Sequence, residues 1–253
     1  MSFDVAADAY SRFMGRFSEP LSYLFAYDAH LSPGDRALDV GCGAGALTAR
    51  LVERLGVDQV SAVDPSESFV AATRERFPGV DVQLGAAEAL PFADEAFDAA
   101  LAQLVVHFMS DPVAGLREMA RVTRPGGKVA ACVWDLAGGT SPLSTFWSAA
   151  RDLDPVVVDE SRLPGVRQWD LIDLAKEAGL EDITAPVLAL AVPFSTFDEW
   201  WEPYTFGVGP AGSYLAGLDN ERRVALRDRC AALLPQGPFE VVAQAWSIQA
   251  IVR

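Results

Sequence analysis

Residues 38–45 read LDVGCGAG, the most informative stretch of the chain. The apolar residues Ala37–Val40 are typical of a buried strand, and Gly41, Gly43 and Gly45 follow it at alternate positions. Apolar residues at helical spacing then run from Gly45 to Leu55. Because glycine lacks a Cβ atom, the backbone of such a turn can pass close beneath a ligand. The order of strand, glycine turn and helix therefore predicts a ligand-binding crevice at the helix N-terminus.

The same rhythm of strands and helices continues to residue 135. We predict further strands at 60–63, 80–84, 97–101 and 128–134, separated by helices at 67–77 and 112–122 and a turn at 124–127. Ser66 and Asp111 stand at the expected N-caps of those helices. This alternation predicts an α/β fold with a doubly wound, mostly parallel sheet. Beyond residue 135 we expect an irregular segment to 166, a helix at 170–178, a partly helical insert at 195–238, and alternating strands at 183–192 and 241–252.

Composition and charge narrow the class of protein. The chain has 253 residues, of which 51% are hydrophobic, and its formal net charge is −15. Such an acidic chain is a poor partner for nucleic acid or for an anionic membrane surface. Two histidines and the scattered Cys42, Cys132 and Cys230 offer no metal-ligand spacing, so we expect no metal and three reduced thiols. Residues 1–10 do not resemble a signal peptide and no apolar run reaches membrane-spanning length, which predicts a soluble, cytoplasmic protein.

The charge near the glycine turn helps to choose a ligand. Asp64 ends the second predicted strand, where a carboxylate can accept hydrogen bonds from both hydroxyls of a ribose. The pattern Gly41-x-Gly43-x-x-Ala46 also satisfies the dinucleotide fingerprint G-x-G-x-x-G/A. However, Asp39 precedes the turn and no Lys or Arg lies between residues 38 and 49, so a pyrophosphate would be repelled. A ligand with ammonium and sulfonium groups would be attracted.

The stretch 38–45 resembles the first motif of class I S-adenosylmethionine-dependent methyltransferases of the small-molecule type. Further matches follow in the order of that family, at Val63–Ser66, Gly85–Phe92, Phe97-Asp98, Gln103–Phe108 and Arg124–Gly127. The resemblance covers residues 38–134 and is weaker beyond them. It implies a Rossmann-like methyltransferase fold whose sheet has seven strands, the last antiparallel.

The resemblance also implies which residues bind S-adenosylmethionine, whose product is S-adenosylhomocysteine. The glycine turn with Asp39 and Cys42 would lie under the methionine part, and Asp64 with Pro65 would hold the ribose. Ala86, Ala87 and Glu88 would lie beside the adenine, and Gln103 and Leu104 would line the methyl-transfer point. Many relatives carry Asp at the position of Ala86, so Glu88 is the candidate for the missing adenine contact. Arg16 lies in a segment that folds over the cofactor in some relatives, and either pairs with the methionine carboxylate or stays on the surface.

Two features are candidates for acceptor binding. His107 is the only histidine in the motif region, and it is either a general base or a structural histidine. Trp200, Trp201 and Tyr204 belong to a run of aromatic residues at helical spacing, which fits a lid over an apolar acceptor pocket, a packed core helix or a dimer surface. The acidic residues around 152–170, Glu160 among them, are interpreted as a solvated face, with attraction of a cationic acceptor as the alternative.

We therefore expect one methyltransferase domain over residues 1–253. It would have an N-terminal helical cap at 1–34, a cofactor-binding core at 35–135 and inserted substrate caps at 136–168 and 195–238. The expected activity is in-line transfer of a methyl group to a small molecule with an apolar or aromatic part, with O or C favoured over N as the accepting atom. A homodimer is compatible with the sequence. The alternatives are an NAD(P)-dependent oxidoreductase on a related fold and a non-catalytic S-adenosylmethionine-binding protein.

Overall fold

The computed structural model describes residues 7–253, with side chains described from Arg12 onward. The prediction about a signal peptide concerns residues 1–10 and falls mostly outside this part of the chain. The strands are β1 Ala37–Val40, β2 Val60–Asp64, β3 Asp81–Leu84, β4 Phe97–Gln103, β5 Thr123–Trp134, β6 Glu181–Thr184, β7 Val187–Phe194 and β8 Phe239–Ile251. The helices are α1 Ala7–Asp28, α2 Ala46–Leu55, α3 Glu67–Arg76, α4 Pro112–Val122, α5 Ser144–Leu153, α6 Gln168–Glu177, α7 Phe197–Trp201, α8 Gly209–Gly217 and α9 Asn220–Leu233.

The strands form one mixed sheet in the order β3-β2-β1-β4-β5-β8-β6, with β7 also paired to β8. Strands β1 to β5 are parallel, whereas β8 runs antiparallel to β5, β6 and β7. This confirms the predicted fold class. The carboxyl ends of β1, β2 and β4 meet at one edge of the sheet, which is where open α/β sheets bind ligands.

The sheet has eight strands in the described residues instead of the expected seven. The predicted strand 183–192 is divided at Ala185-Pro186 into β6 and β7, which follow one another along the edge of β8 that does not face β5. Pro186 has no N–H to donate, and its carbonyl accepts a hydrogen bond from Ser247 N at 3.1 Å. Both halves of the interrupted strand therefore remain paired with β8.

Local capping signals set several boundaries correctly. Helix α4 begins at Pro112 and ends at Val122, as expected, and Asp111 Oδ1 accepts a hydrogen bond from Ala114 N at 3.0 Å. Ser66 does occupy the N-cap position of α3, but its hydroxyl lies 2.9 Å from Ser68 Oγ and makes no capping bond.

Two expectations for irregular structure were wrong. The residues 124–127 belong to β5 as a wide bulge, because Thr123 pairs with Phe97 and Lys128 with Ala99. Val252 accepts a hydrogen bond from Gly126 N at 2.7 Å and donates one to Gly127 O at 2.9 Å, so the bulge is tied to the end of the chain. In the segment 136–166, helix α5 buries Phe146 and Trp147, whose burial its local composition did not reveal.

Both faces of the sheet are covered, as a parallel sheet requires. One core cluster joins the sheet to α1, α2, α5 and the 195–238 insert, and the other joins it to α4 and α6. Within residues 7–253 no helix has both the length and the apolar character needed to cross a bilayer. The described side chains likewise contain no group of three or more potential metal ligands.

Candidate functional site

The glycine turn after β1 owes its sequence to backbone geometry and close packing. Gly41 and Gly45 have φ values of 71° and 82°, which favour glycine. A Cβ atom on Gly41 would lie 2.5 Å from the Val105 side chain, and one on Gly45 would lie 2.6 Å from Phe77. Gly43 also has a positive φ of 53°, but a Cβ there would meet no atom within 4 Å. The turn therefore packs through Gly41 and Gly45 and leaves an open space at Gly43.

Asp64 fastens this turn to the end of β2. Its Oδ2 accepts a hydrogen bond from Gly43 N at 2.9 Å, and its Oδ1 accepts one from Ser66 N at 2.9 Å. Burial raises the pKa of this carboxyl, and the two backbone donors oppose that rise. Because each carboxylate oxygen has two lone pairs, acceptor capacity remains for a ligand.

Asp39 lies beneath the same turn and is 1% exposed. Thr48 Oγ1 donates to its Oδ2 at 2.6 Å. Burial raises the pKa of Asp39 to about 7, the Thr48 hydrogen bond opposes this, and the nearby Asp64 adds to it. A cation in the crevice would favour the ionised form of this carboxyl. Burial also raises the pKa of Cys42, which stays a thiol.

A cavity opens between the glycine turn, the end of β4 and helix α1. Its lining includes Asp39, Gly43, Gln103, Leu104 and Glu19. Gln103 Nε2 donates to Ser18 O at 3.0 Å, while its Oε1 is buried and has no partner among the described residues. Leu104 has a φ of 62°, a conformation that strains a non-glycine residue by about 1–3 kcal/mol and is concentrated at functional sites. We call this space the turn cavity.

The residues predicted to lie beside the adenine differ in their exposure and in their hydrogen bonds. Ala86 is exposed and Ala87 is buried, and Pro65, which follows β2, is also exposed. Glu88 Oε1 accepts hydrogen bonds from Ser110 N at 2.7 Å, Ser110 Oγ at 2.8 Å and Asp111 N at 3.2 Å. Partial burial raises the pKa of Glu88, but these donors outweigh it and lower the pKa. The carboxylate thus holds the chain that enters α4.

A second cavity lies beyond Leu104, which lines both. Its walls include Met14, Phe108, Leu143, Val208 and Pro210, and its polar lining residues are His107, Trp134 and Glu160. The His107 ring packs on Phe108 at a centroid distance of 3.9 Å, and burial lowers its pKa to about 3. The imidazole is therefore neutral at pH 7. We call this space the apolar cavity.

Comparisons with known proteins agree with this geometry. The family model for a methyltransferase domain matches residues 38–131, which contain the glycine turn, Asp64 and the Gln103-Leu104 pair. Residues 38–131 therefore match a methyltransferase domain. An uncharacterized methyltransferase of Mycobacterium tuberculosis is 41% identical over 138 residues, which are 53% of this chain and 52% of the relative. A demethylmenaquinone methyltransferase of Beutenbergia cavernae is 45% identical over 97 residues, which are 38% of this chain and 40% of the relative.

The alignments span about half the length of these relatives or less, so the similarity concerns the domain. The fold similarity extends further along the chain. A SAM-dependent methyltransferase of Thermotoga maritima superposes with a TM-score of 0.57 at 22% identity, over 97% of this chain and 95% of that chain. The segments on either side of the methyltransferase domain therefore belong to the same fold.

Arg16, predicted either to pair with the methionine carboxylate or to stay on the surface, does not line the turn cavity. Its guanidinium donates to Glu199 Oε1 at 2.7 Å and to Pro193 O at 2.8 Å, and it lies 4.4 Å from the centre of the Phe194 ring. These contacts hold the Arg16 side chain against β7 and α7.

The aromatic run is part of the core. Trp200, Trp201 and Tyr204 are 2%, 8% and 3% exposed, and the Tyr204 ring stacks on Phe146 at a centroid distance of 4.6 Å. Trp200 and Tyr204 line a small third cavity together with Arg16. None of the aromatic residues Trp200, Trp201 and Tyr204 lines the apolar cavity. Of the three interpretations offered by the sequence, this burial against α1 and α5 fits the packed core helix.

Sequence reasoning missed Trp134 and Glu160. Trp134 is the last residue of β5, and its burial follows from the pairing of β5 with β8. Glu160 is 5% exposed although its neighbours are charged, so its interpretation as a solvated residue was wrong. No local signal distinguishes Glu160 from Asp159, whose carboxylate pairs with Arg151 and Ser161.

Proposed function

We propose that this protein transfers a methyl group from S-adenosylmethionine to a small molecule. The observation that carries the proposal is the meeting of two unlike cavities at Leu104, one lined by the glycine turn and carboxyl groups and the other mostly apolar. When bound, S-adenosylmethionine supplies a methyl group already activated by a sulfonium. The protein then has to hold the acceptor in line with that methyl group, about 3–3.5 Å away.

The residues of the turn cavity fit this donor. The charged residues of its lining are Glu19 and Asp39, which would attract an ammonium and a sulfonium and repel a diphosphate. The unpartnered Gln103 Oε1 is an acceptor suited to the ammonium, and the open space at Gly43 leaves room for the methionine part. We assign the ribose to Asp64 and Pro65.

For the adenine we propose the segment Ala86–Glu88, which follows β3. The backbone N–H of Ala87 is our candidate for the contact with the ring. Glu88 contributes by holding Ser110 and Asp111 in place, because its Oε1 already accepts three hydrogen bonds from them. The adenine amino group then needs no carboxylate at position 86.

The apolar cavity is our candidate for the acceptor site. Its walls come from the proposed cofactor-binding core 35–135 and from both proposed caps, through Leu143 and Glu160 of 136–168 and Val208 of 195–238. Apolar walls and a neutral imidazole favour an uncharged hydroxyl or acidic C–H group over a protonated amine. We propose that the neutral His107 ring donates a hydrogen bond from Nδ1 to a lone pair of the acceptor oxygen and so orients it, since a base with a pKa near 3 removes protons poorly. The name of the B. cavernae relative is consistent with a small-molecule acceptor.

Calorimetry with S-adenosylmethionine, S-adenosylhomocysteine and NAD tests the donor assignment. We expect dissociation constants in the micromolar range for the first two and no binding of NAD, whereas binding of NAD alone would establish the dinucleotide alternative. Release of S-adenosylhomocysteine in the presence of a metabolite extract tests turnover. Binding without any release from a broad set of extracts would favour the non-catalytic alternative.

A further inference from the structure

Within the described structure, three polar side chains around the apolar cavity lack hydrogen-bond partners that buried groups normally have. Trp134 Nε1 and His107 Nδ1 are both buried and have no hydrogen-bond partner among the described residues. Glu160 lines the same cavity, and the hydrogen bond that the described structure gives its carboxyl runs from Trp147 Nε1 to Oε2 at 2.9 Å. Buried polar groups are nearly always paired in native proteins. Three incompletely satisfied groups around one cavity therefore indicate a ligand that completes them.

The Trp134 indole specifies the kind of ligand atom. An indole N–H is a donor and cannot accept, so its partner must be an oxygen or another acceptor. Trp134 ends β5 at the carboxyl edge of the sheet and is 3% exposed, so its ring is held in place by its surroundings. A carbonyl oxygen on an otherwise apolar molecule would satisfy this N–H.

Glu160 specifies a second ligand group. Its carboxyl is 5% exposed and the described residues give it no cationic partner, which is a costly arrangement for a structural residue. Burial raises its pKa to about 7, the Trp147 hydrogen bond opposes this, and Asp159 adds to it. A carboxyl with this pKa can accept a proton from a ligand hydroxyl near neutral pH.

We propose that the apolar cavity binds an uncharged acceptor with a hydroxyl group and a carbonyl oxygen on an apolar body, and that Trp134 and Glu160 select it. This inference rests on the proposed function and extends it to the class of acceptor. Trp134 Nε1 donates to the carbonyl oxygen, and the Glu160 carboxylate accepts the hydroxyl proton. The acceptor oxygen forms its bond to the methyl carbon while the carbon–sulfur bond breaks and its electron pair stays on sulfur. The proton on Glu160 leaves to solvent after product release.

Three probe compounds separate the two contacts by calorimetry on the full chain with saturating S-adenosylhomocysteine. The compound 4-(4-hydroxyphenyl)-2-butanone carries both groups, 4-butylphenol lacks the carbonyl, and 4-(4-methoxyphenyl)-2-butanone lacks the hydroxyl proton. We expect Trp134→Phe to weaken binding of the hydroxyketone about 2- to 10-fold, the loss of one neutral hydrogen bond, and to leave 4-butylphenol unchanged. The control Trp169→Phe removes an indole that is 71% exposed and should change neither. Equal effects of Trp134→Phe on both phenols would overturn the assignment of the carbonyl.

The pH dependence of binding tests Glu160. Between pH 5.5 and 8.5 we expect affinity for the hydroxyketone to rise about 5- to 10-fold in the wild type, because an ionised acceptor strengthens the hydrogen bond. The methoxy compound should show no rise. Glu160→Gln should abolish the pH dependence, and the control Glu75→Gln, on the exposed face of α3, should retain it.

The other titratable groups around Glu160 do not account for such a rise. His107 has a pKa of about 3, burial raises the pKa of Tyr204 well above its usual range, and the Ser161 and Arg151 contacts outweigh partial burial to lower the pKa of Asp159. An unchanged pH dependence in Glu160→Gln would overturn the role of Glu160, and failure of the hydroxyketone to bind would overturn the whole inference. Failure of S-adenosylhomocysteine to bind would instead refute the proposed function.

Discussion

Replacing Asp39 by Asn would release an electrostatic penalty beneath the glycine turn. The carboxyl is 1% exposed, accepts a hydrogen bond from Thr48 Oγ1, and has its pKa raised to about 7 by burial from a usual value of 3.8. At high pH the folded protein therefore buries a charge that the unfolded chain exposes to water. Asparagine keeps an oxygen for Thr48 and carries no charge. We expect Asp39→Asn to be more stable than the wild type in the absence of ligand.

The size and sign of this effect follow from proton linkage. Because the folded pKa of Asp39 lies above the unfolded one, protonation favours the folded state. The stability linked to this proton is fully present below pH 3.8 and is lost progressively as the pH rises to about 7. The folded and unfolded pKa values differ by about 3 units, and each unit corresponds to about 1.36 kcal/mol. Above pH 7 the wild type has therefore lost ~4 kcal/mol of folding stability through ionisation of Asp39. The advantage of Asp39→Asn should thus grow from about 2 kcal/mol at pH 5 to about 4 kcal/mol at pH 8.5.

Urea unfolding followed by tryptophan fluorescence at pH 5, 7 and 8.5 measures this difference. The control Asp58→Asn changes an exposed carboxyl at the opposite end of β2 and should change the free energy of unfolding only slightly. Equal stability of Asp39→Asn and wild type at all three values would refute the electrostatic reasoning. The same variant should bind S-adenosylmethionine more weakly, because the ammonium loses an ionisable partner.

Three further substitutions test other parts of the site. Asp64→Ala should weaken S-adenosylhomocysteine binding by about 1.5–3 kcal/mol, the value of charged hydrogen bonds. An unchanged dissociation constant in calorimetry would show that Asp64 does not bind the ribose. His107→Asn should lower kcat about tenfold, which corresponds to about 1.4 kcal/mol of lost orientation, and should leave the cofactor dissociation constant unchanged. Equal turnover of variant and wild type in steady-state kinetics would show that His107 has only a structural role. Gly45→Ala places a Cβ 2.6 Å from Phe77 at a φ of 82°, so the free energy of unfolding measured in urea should fall by about 1–3 kcal/mol. Wild-type stability would instead mean that the turn adjusts to the added methyl group.

Much of the fold between residues 35 and 135 could be predicted from the sequence. The bounds of β1 and α4 were correct because each is set by neighbours in the chain, an apolar run ending in glycine for β1 and the Asp111-Pro112 cap for α4. The approach of Asp64 to Gly43 was also foreseeable, because parallel strands bring their carboxyl ends to one edge of the sheet. These features depend on local order and on the regular geometry of a parallel sheet.

The packing of the segments outside residues 35–135 was not predictable in the same way. The sequence did not indicate that Arg16 pairs with Glu199, 183 residues away, or that Tyr204 stacks on Phe146. Each contact depends on how α1, α5 and the 195–238 insert pack on the sheet. The division of the strand 183–192 is similar, because it is defined by its partner β8 at the other end of the chain.

Short stretches of the chain already specify the glycine turn, the strands on either side of it and the carboxyl groups around it, because strand order and turn chemistry are encoded locally. The meeting of Trp134 and Glu160 with His107 around one apolar cavity, and the burial of the aromatic run elsewhere, depend instead on how the whole chain packs. This is because desolvation and hydrogen-bond satisfaction depend on all the neighbours of a side chain. Those neighbours are brought together from distant segments by folding.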